Sequence, residues 1–276
     1  MTRVADITIF GRLAALATCL LACGSIDEHL ADLDSPDPGV RQSAAYRLLL
    51  KGKAAAPALI AVVDSGSGNR RFIATQLLGK IGDPRAVVPL ITQLQEASAS
   101  PLRQAAAEAL GKLGDDRAIG PLIEAVKTET EVTVRLSAVQ GLATLRHADV
   151  SVYEHALEDW HPDVRKQGLL ALVKFAPGGL EPHLRHLTGD PDPGLRYLVV
   201  QLLSRIGASA VPALIEALND STGAVREEAA LALGRLGATE AKEALIDLMA
   251  RSRDPDGEAA RQALRQITGI DFVPTE

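Results

Sequence analysis

Two carboxylates in GDPDPGLR (189–196), Asp190 and Asp192, alternate like the first ligands of a calcium loop, where acids at every second position converge on a hard cation. The phrase has an echo in DSPDPGVR at 34–41. A calcium loop also needs a bidentate acid about twelve positions from the first, and counting from Asp190 that position is Gln201. The other reading is a turn that opens a helix, with Asp37 and Asp192 as N-caps before Pro38 and Pro193, and Ser100 likewise before Pro101. Histidines form a second cluster. His147, His155, His161, His183 and His186 lie close to Tyr153, Trp160, Phe175 and Tyr197. That grouping admits a transition-metal or haem contact, yet Glu216 fills the equivalent place in a neighbouring repeat, so neither metal nor cofactor is expected. There is no Gly-x-Ser-x-Gly, no phosphate loop and no His-Glu-x-x-His, and both cysteines, Cys19 and Cys23, are N-terminal. No catalytic constellation is expected.

These residues are placed by a repeat. Arg41, Arg70, Arg103, Arg135, Arg165, Arg196 and Arg226 recur at intervals of 29 to 33 residues, and seven positions after each comes Leu48, Leu77, Leu110, Leu142, Leu172, Leu203 or Leu233. With apolar residues at −1 and small or apolar ones at +3 and +4, this is one stripe of an α-helix. A preceding helix carries PALI (57–60, 212–215), PLI (89–91, 121–123) or ALI (244–246). The unit is a pair of antiparallel helices of about 31 residues, repeated about eight times. Gly82, Gly114, Gly207 and Gly237 follow second helices, where a left-handed residue ends a helix well. In the last unit Gly257 stands where the Arg would be.

The Pro-x-Leu-Ile starts, Val-Arg-x-x-Ala-Ala cores and Leu-Gly-x-Leu-Gly ends resemble HEAT repeats, in particular the short type found in phycobilisome lyases. The resemblance implies an all-α fold, an α-solenoid of about eight helix pairs in a right-handed superhelical array over residues 28–269, with 270–276 as a tail. It also implies a ladder in which an acid and an Arg bond along the array: Asp34/Arg41, Asp64/Arg70, Glu96/Arg103, Glu129/Arg135, Asp159/Arg165, Asp190/Arg196 and Asp220/Arg226. A forked guanidinium suits that task. The di-iron site of the HEAT-like deoxyhypusine hydroxylases uses His-Glu dipeptides, and no His here is followed by Glu.

The N-terminal segment is of another kind. Arg3 and Arg12 bracket a short lead, and LAALATCLLA (13–22) is an apolar run too short to span a bilayer but suited to an export signal. Leu20-Leu21-Ala22-Cys23 resembles the lipobox of bacterial lipoproteins. That resemblance implies cleavage after residue 22, acylation of Cys23, a tether over 23–27, and residence in the cell envelope. If the organism is Gram-negative, Gly24 in place of Asp is similar to the pattern sorted to the outer membrane, facing the periplasm. Loss of Arg3, Arg12 and Asp6 takes the formal charge from −6 to −7. Such acidity argues against a phosphate-binding surface, so no nucleic acid is expected as partner.

A partner-reading surface is expected on the second helices, at positions that vary while the Leu stripe does not. It includes Tyr46, Arg71, Glu108, Gln140, Lys166, Tyr197 and Gln201, with Trp160 as an aromatic anchor in an aromatic-poor chain. The expected function is a non-catalytic scaffold for a protein partner, lipid-anchored at the envelope. The alternative is an enzyme-associated or lyase-like module with a small-molecule groove near residues 153–197.

Overall fold

The computed structural model describes residues 24–66, 68–252 and 254–272. The expected signal segment, with Cys19 and Cys23, lies outside them. Sixteen α-helices and no strand are present among the described residues, and none of the helices is long and apolar enough to cross a membrane. The chain divides into two compact units, one ending at Ala171 and the other beginning at Leu172.

The first unit holds α1 (Ile26–Asp32), α2 (Pro38–Lys51), α3 (Ala56–Ser65), α4 (Gly68–Ile81), α5 (Val87–Glu96), α6 (Ser100–Leu113), α7 (Ile119–Thr128), α8 (Val132–Thr144), α9 (Ser151–Leu157) and most of α10 (Pro162–Phe175). Odd-numbered helices are the first members of each pair and stack on one another; α2, α4, α6 and α8 form the second layer. The second unit continues with α11 (Leu180–Leu187), α12 (Pro193–Ile206), α13 (Val211–Ala217), α14 (Gly223–Leu236), α15 (Lys242–Arg251) and α16 (Pro255–Thr268), where α12, α14 and α16 stack in sequence. This is an α-solenoid: each pair buries its apolar stripe against its neighbours.

The core is Ala and Leu. Leu48, Leu110, Leu142 and Leu203 have no exposed surface, and small residues let second helices approach closely. A Cβ on Gly111 would stand 2.6 Å from Gly141 Cα; on Gly79, 2.8 Å from Ala109 Cα; on Gly234, 2.8 Å from Ala263 Cα. These contacts define the repeat register, and they correct the reading of repeat 2. Gly79 and Gly111 occupy the same place, eight residues after Arg71 and Arg103. Arg71, not Arg70, is therefore the repeat arginine, with fully buried Leu78 at +7. Two adjacent arginines and a pair of adjacent leucines hid the one-residue slip.

Helix starts and stops follow local chemistry. Asp37 accepts from Gly39 N–H at 2.7 Å and Asp192 from Leu195 N–H at 2.7 Å, both before a Pro at the first helical position. Ser100 does not cap: α6 already begins there, and Ala99 is the residue before it, with no side-chain bond to the helix. Gly114 and Gly237 end their helices in the left-handed conformation, whereas Gly207 is at φ 100°, ψ −147°, outside it. At the equivalent turn after α8 the left-handed residue is Arg146, φ 58°.

Candidate interaction surface

The arginine ladder frames the loops within each pair. In Arg41, Arg103, Arg135, Arg165, Arg196 and Arg226, Nη1 donates to the carbonyls six and five residues earlier, closing the arginine's own loop. The other edge of the guanidinium turns to the next repeat: Arg103 to Glu129 at 3.1 Å, Arg135 to Asp159 at 2.6 and 2.9 Å, Arg196 to Asp220 at 2.7 and 2.8 Å. Burial, the largest single influence, pushes the Asp159 and Asp220 carboxyls up, but the arginine bonds and charge and a backbone N–H together outweigh it and hold them below the ordinary value.

Spacing decides which acids take part. Glu129, Asp159 and Asp220 sit six residues before their own arginine and are reached by the preceding one. Asp64 and Glu96 sit seven before it and make no such contact; Asp34, seven before Arg41, has no repeat arginine ahead of it. Asp64 and Glu96 are exposed and form no ion pair among the described residues, while Asp34 meets Arg70 at 3.2 Å, in the opposite sense. Asp190 also lies six before its arginine and is buried; its Oδ1 accepts from Asp192 N–H at 2.8 Å, as Asp159 and Asp220 accept from His161 and Thr222 N–H, and Asp192 caps α12.

Where the acid is missing, other groups answer. Arg71, expected on the partner surface, donates Nε to the fully buried Gln93 Oε1 at 2.9 Å; Gln93 Nε2 bonds Thr75 Oγ1 and the Leu102 carbonyl, each at 2.9 Å. Arg226 closes on Asp256, buried in α16 and also held by Ser252 at 2.7 Å. Nothing in the repeat spacing marks Asp256 or Gln93.

A second set of bonds went unread although its signal was present, in GDPRA (82–86) and GDDRA (114–118). Asp83 and Asp115 chelate Arg85 and Arg117, whose Nη2 atoms reach back to the Lys53 and Pro84 carbonyls of the preceding repeat. The arginine hydrogen bonds pull both carboxyls down to about 2.

On this frame stands Trp160, 70% exposed. Its carbonyl accepts from Arg165 Nη1, which defines a loop position filled elsewhere by Pro36, Ser98, Thr130, Pro191 and Ser221. Only repeat 5 puts a large side chain there. The indole lies over the buried Arg135 guanidinium, 5.3 Å from centroid to Cζ, and edge-on to His161 at 5.4 Å. The ring is thus fixed from below by a cation already locked to Asp159 and open above. Lys166 and Leu170, both exposed, follow on α10.

The other expected surface residues divide. Tyr46 and Gln140 are exposed. Glu108 is half-buried, accepts from Gln104 and lies 3.9 Å from Lys112. With Ser137 and Thr144, Glu108 and Gln140 line a groove of about 300 Å³ between α6 and α8, floored by Gly111 and Gly141. Tyr197 is half-buried, its hydroxyl 3.4 Å from Glu228, and Gln201 is half-buried beside it on α12. Members of the aromatic and histidine cluster differ in burial: Tyr153 is wholly buried, its hydroxyl donating to the His147 carbonyl at 3.0 Å and its pKa pushed up by burial to about 12, while His155 and His186 are exposed. Among the described residues no three His, Cys, Asp or Glu side chains are placed to share a metal.

Comparison with known proteins matches a model of HEAT repeats at residues 26–107, 56–143 and 181–265. No curated protein is significantly similar. Among solved structures, YibA of E. coli superposes with a TM-score of 0.62 at 20% identity, covering 91% of this chain and 95% of that one. Kap95p, solved bound to RanGDP, gives 0.57 at 15% identity over 91% of this chain and 41% of its own. CpcE–CpcF of the phycocyanin lyase from Nostoc sp. PCC7120 gives 0.46 at 22% identity over 88% and 95%. Such identities speak for the fold alone.

Proposed function

Since the chain belongs to the HEAT-repeat family, whose repeats mediate protein interactions, we propose that it is a non-catalytic protein-binding scaffold, lipid-anchored at the cell envelope through Cys23. Residues 1–22 are its export signal, 23–27 the tether, 28–269 the repeats and 270–276 a tail; in a Gram-negative cell it faces the periplasm from the outer membrane. The observation that carries the binding reading is Trp160. A large ring, 70% exposed and pinned on a buried guanidinium, occupies a position where other loops carry small residues. An aromatic anchor whose orientation is fixed in advance loses little freedom when a partner covers it. The partner engages Trp160, Lys166 and the groove beside Glu108 and Gln140.

A photoreactive aromatic residue placed at position 160 in intact envelopes tests this, with position 88 as control because Val88 is also exposed, at 57%. The reading expects one saturable protein adduct specific to position 160. Identical adducts from both positions, or none, refute it. Palmitate incorporation that is abolished in Cys23→Ser supports the anchor, and unchanged incorporation refutes it.

A further inference from the structure

Between Asp37 and Asp64 the chain carries Arg41, Arg47, Lys51 and Lys53 and not one acidic residue, although the formal charge of the whole is −6. None of the four forms an ion pair among the described residues, whereas the repeat arginines from Arg103 onward reach acids at Arg103, Arg135, Arg196 and Arg226. The ladder explains Arg41: the place from which the next repeat would offer an acid is Ser65. Arg47 shows the same want in another form, because its Nε is buried and has no hydrogen-bond partner.

The same helix leaves apolar groups in solvent. Val40, Tyr46 and Leu50 are 37%, 48% and 41% exposed. Along α2, Val40, Arg47 and Leu50 follow at intervals of seven and three and Tyr46 precedes Leu50 by four, so they lie along one arc of the helix, which borders buried Ala44 at the Val40 edge and is turned away from buried Leu48. Cations interleaved with a tyrosine and aliphatic groups, without acids, make an interfacial helix face: aliphatic and phenolic groups enter the headgroup boundary and cations meet phosphates.

We propose that this face of α2 is a membrane-contact surface for anionic phospholipid headgroups, laying repeat 1 on the bilayer. The proposal rests on the lipid-anchor reading, since α1 begins three residues after Cys23 and leaves repeat 1 little reach from an acylated cysteine. Each Lys or Arg near an anionic surface contributes about fivefold to binding, so Arg47 and Lys51 on α2 and Lys53 in the turn that follows it together contribute about a hundredfold.

The test uses the full lipidated chain in vesicles of phosphatidylethanolamine and phosphatidylglycerol carrying brominated acyl chains. Tyr46→Trp in a Trp160→Phe background gives one fluorophore on the face, and vesicle flotation reads the anchor independently. The proposal expects strong bromine quenching, reduced to the level of all-neutral vesicles by Arg47→Gln with Lys51→Gln and Lys53→Gln, with helical circular dichroism retained. A chain that floats but is not quenched overturns the surface and leaves the anchor standing. A chain not acylated at Cys23 yet quenched on anionic vesicles overturns the anchor alone. A protected, blue-shifted emission that depends on protein concentration and not on lipid assigns the face to a second copy and overturns the proposal.

Discussion

Replacing Gly111 by Ala tests whether backbone contact between second helices sets the register. The new Cβ would lie 2.6 Å from Gly141 Cα and 3.3 Å from its carbonyl oxygen, so reaching an ordinary 3.4 Å contact moves α6 and α8 apart by about 0.8 Å. The obstacle is backbone, which cannot rotate away. Overpacking of this kind costs about 1–3 kcal/mol, and here the upper part applies. Against it stands a gain of about 1 kcal/mol for Ala over Gly in a helix. The net expectation is a loss of about 1–2 kcal/mol, a melting point several degrees lower. Gly120, exposed in α7 with nothing within 4 Å of its added Cβ, isolates the propensity term, and Gly120→Ala is expected to stabilise by about 0.5–1 kcal/mol. Urea unfolding followed at 222 nm compares the two variants with the parent. A Gly111→Ala protein as stable as the Gly120→Ala one would refute the close-contact argument.

Arg146→Gly relieves a non-glycine residue held at φ 58° and is expected to raise stability by about 1 kcal/mol in a thermal melt. Arg135→Met removes the buried partner of Asp159 and the support under Trp160; a loss of about 3–5 kcal/mol is expected, and an unfolding curve within 1 kcal/mol of the parent would contradict it. Acid should unfold the array. The carboxyls of Asp83 and Asp115 lie near 2 when folded and near 3.9 when unfolded, so their contribution is complete above about pH 4 and lost as pH falls toward 2; Asp159, Asp220 and Asp256 act in the same direction. Melting points recorded from pH 6 to 2 should fall chiefly below pH 4, and a flat profile there would count against the ladder.

The fold was open to reading because its pitch is written in single residues: an arginine that closes its own loop and a leucine seven positions on. Repeat 2 shows the limit. Arg70 and Arg71 satisfy the pattern equally as letters, and only the approach of Gly79 to Ala109 tells them apart. The offset of six or seven between acid and arginine looked like tolerance, but one residue at the end of a helix turns the carboxylate by about 100°, and the contact is lost. Gln93 and Asp256 lie off the period, so no spacing finds them. Trp160 was visible as an oddity of composition; that it lies on Arg135 follows from the fold. The acid-free run through α2 was in view as well, but it acquired meaning only when neighbouring arginines proved to be paired.

The ladder has a direction. Arg103 and Arg135 each hold their own loop with one nitrogen and the following repeat with the others, so what Arg103 requires of the next repeat is what Arg135 requires of the one after. Units between Arg103 and Asp159 are interchangeable parts, and whole periods could be gained or lost there by duplication or deletion with every joint remade. The seam between repeats 2 and 3 is keyed differently, by Gln93 between Arg71 and the Leu102 carbonyl, and at Arg226 the joint is completed by Asp256. Growth by copying is thus open to the interior of the first unit and closed at those two places.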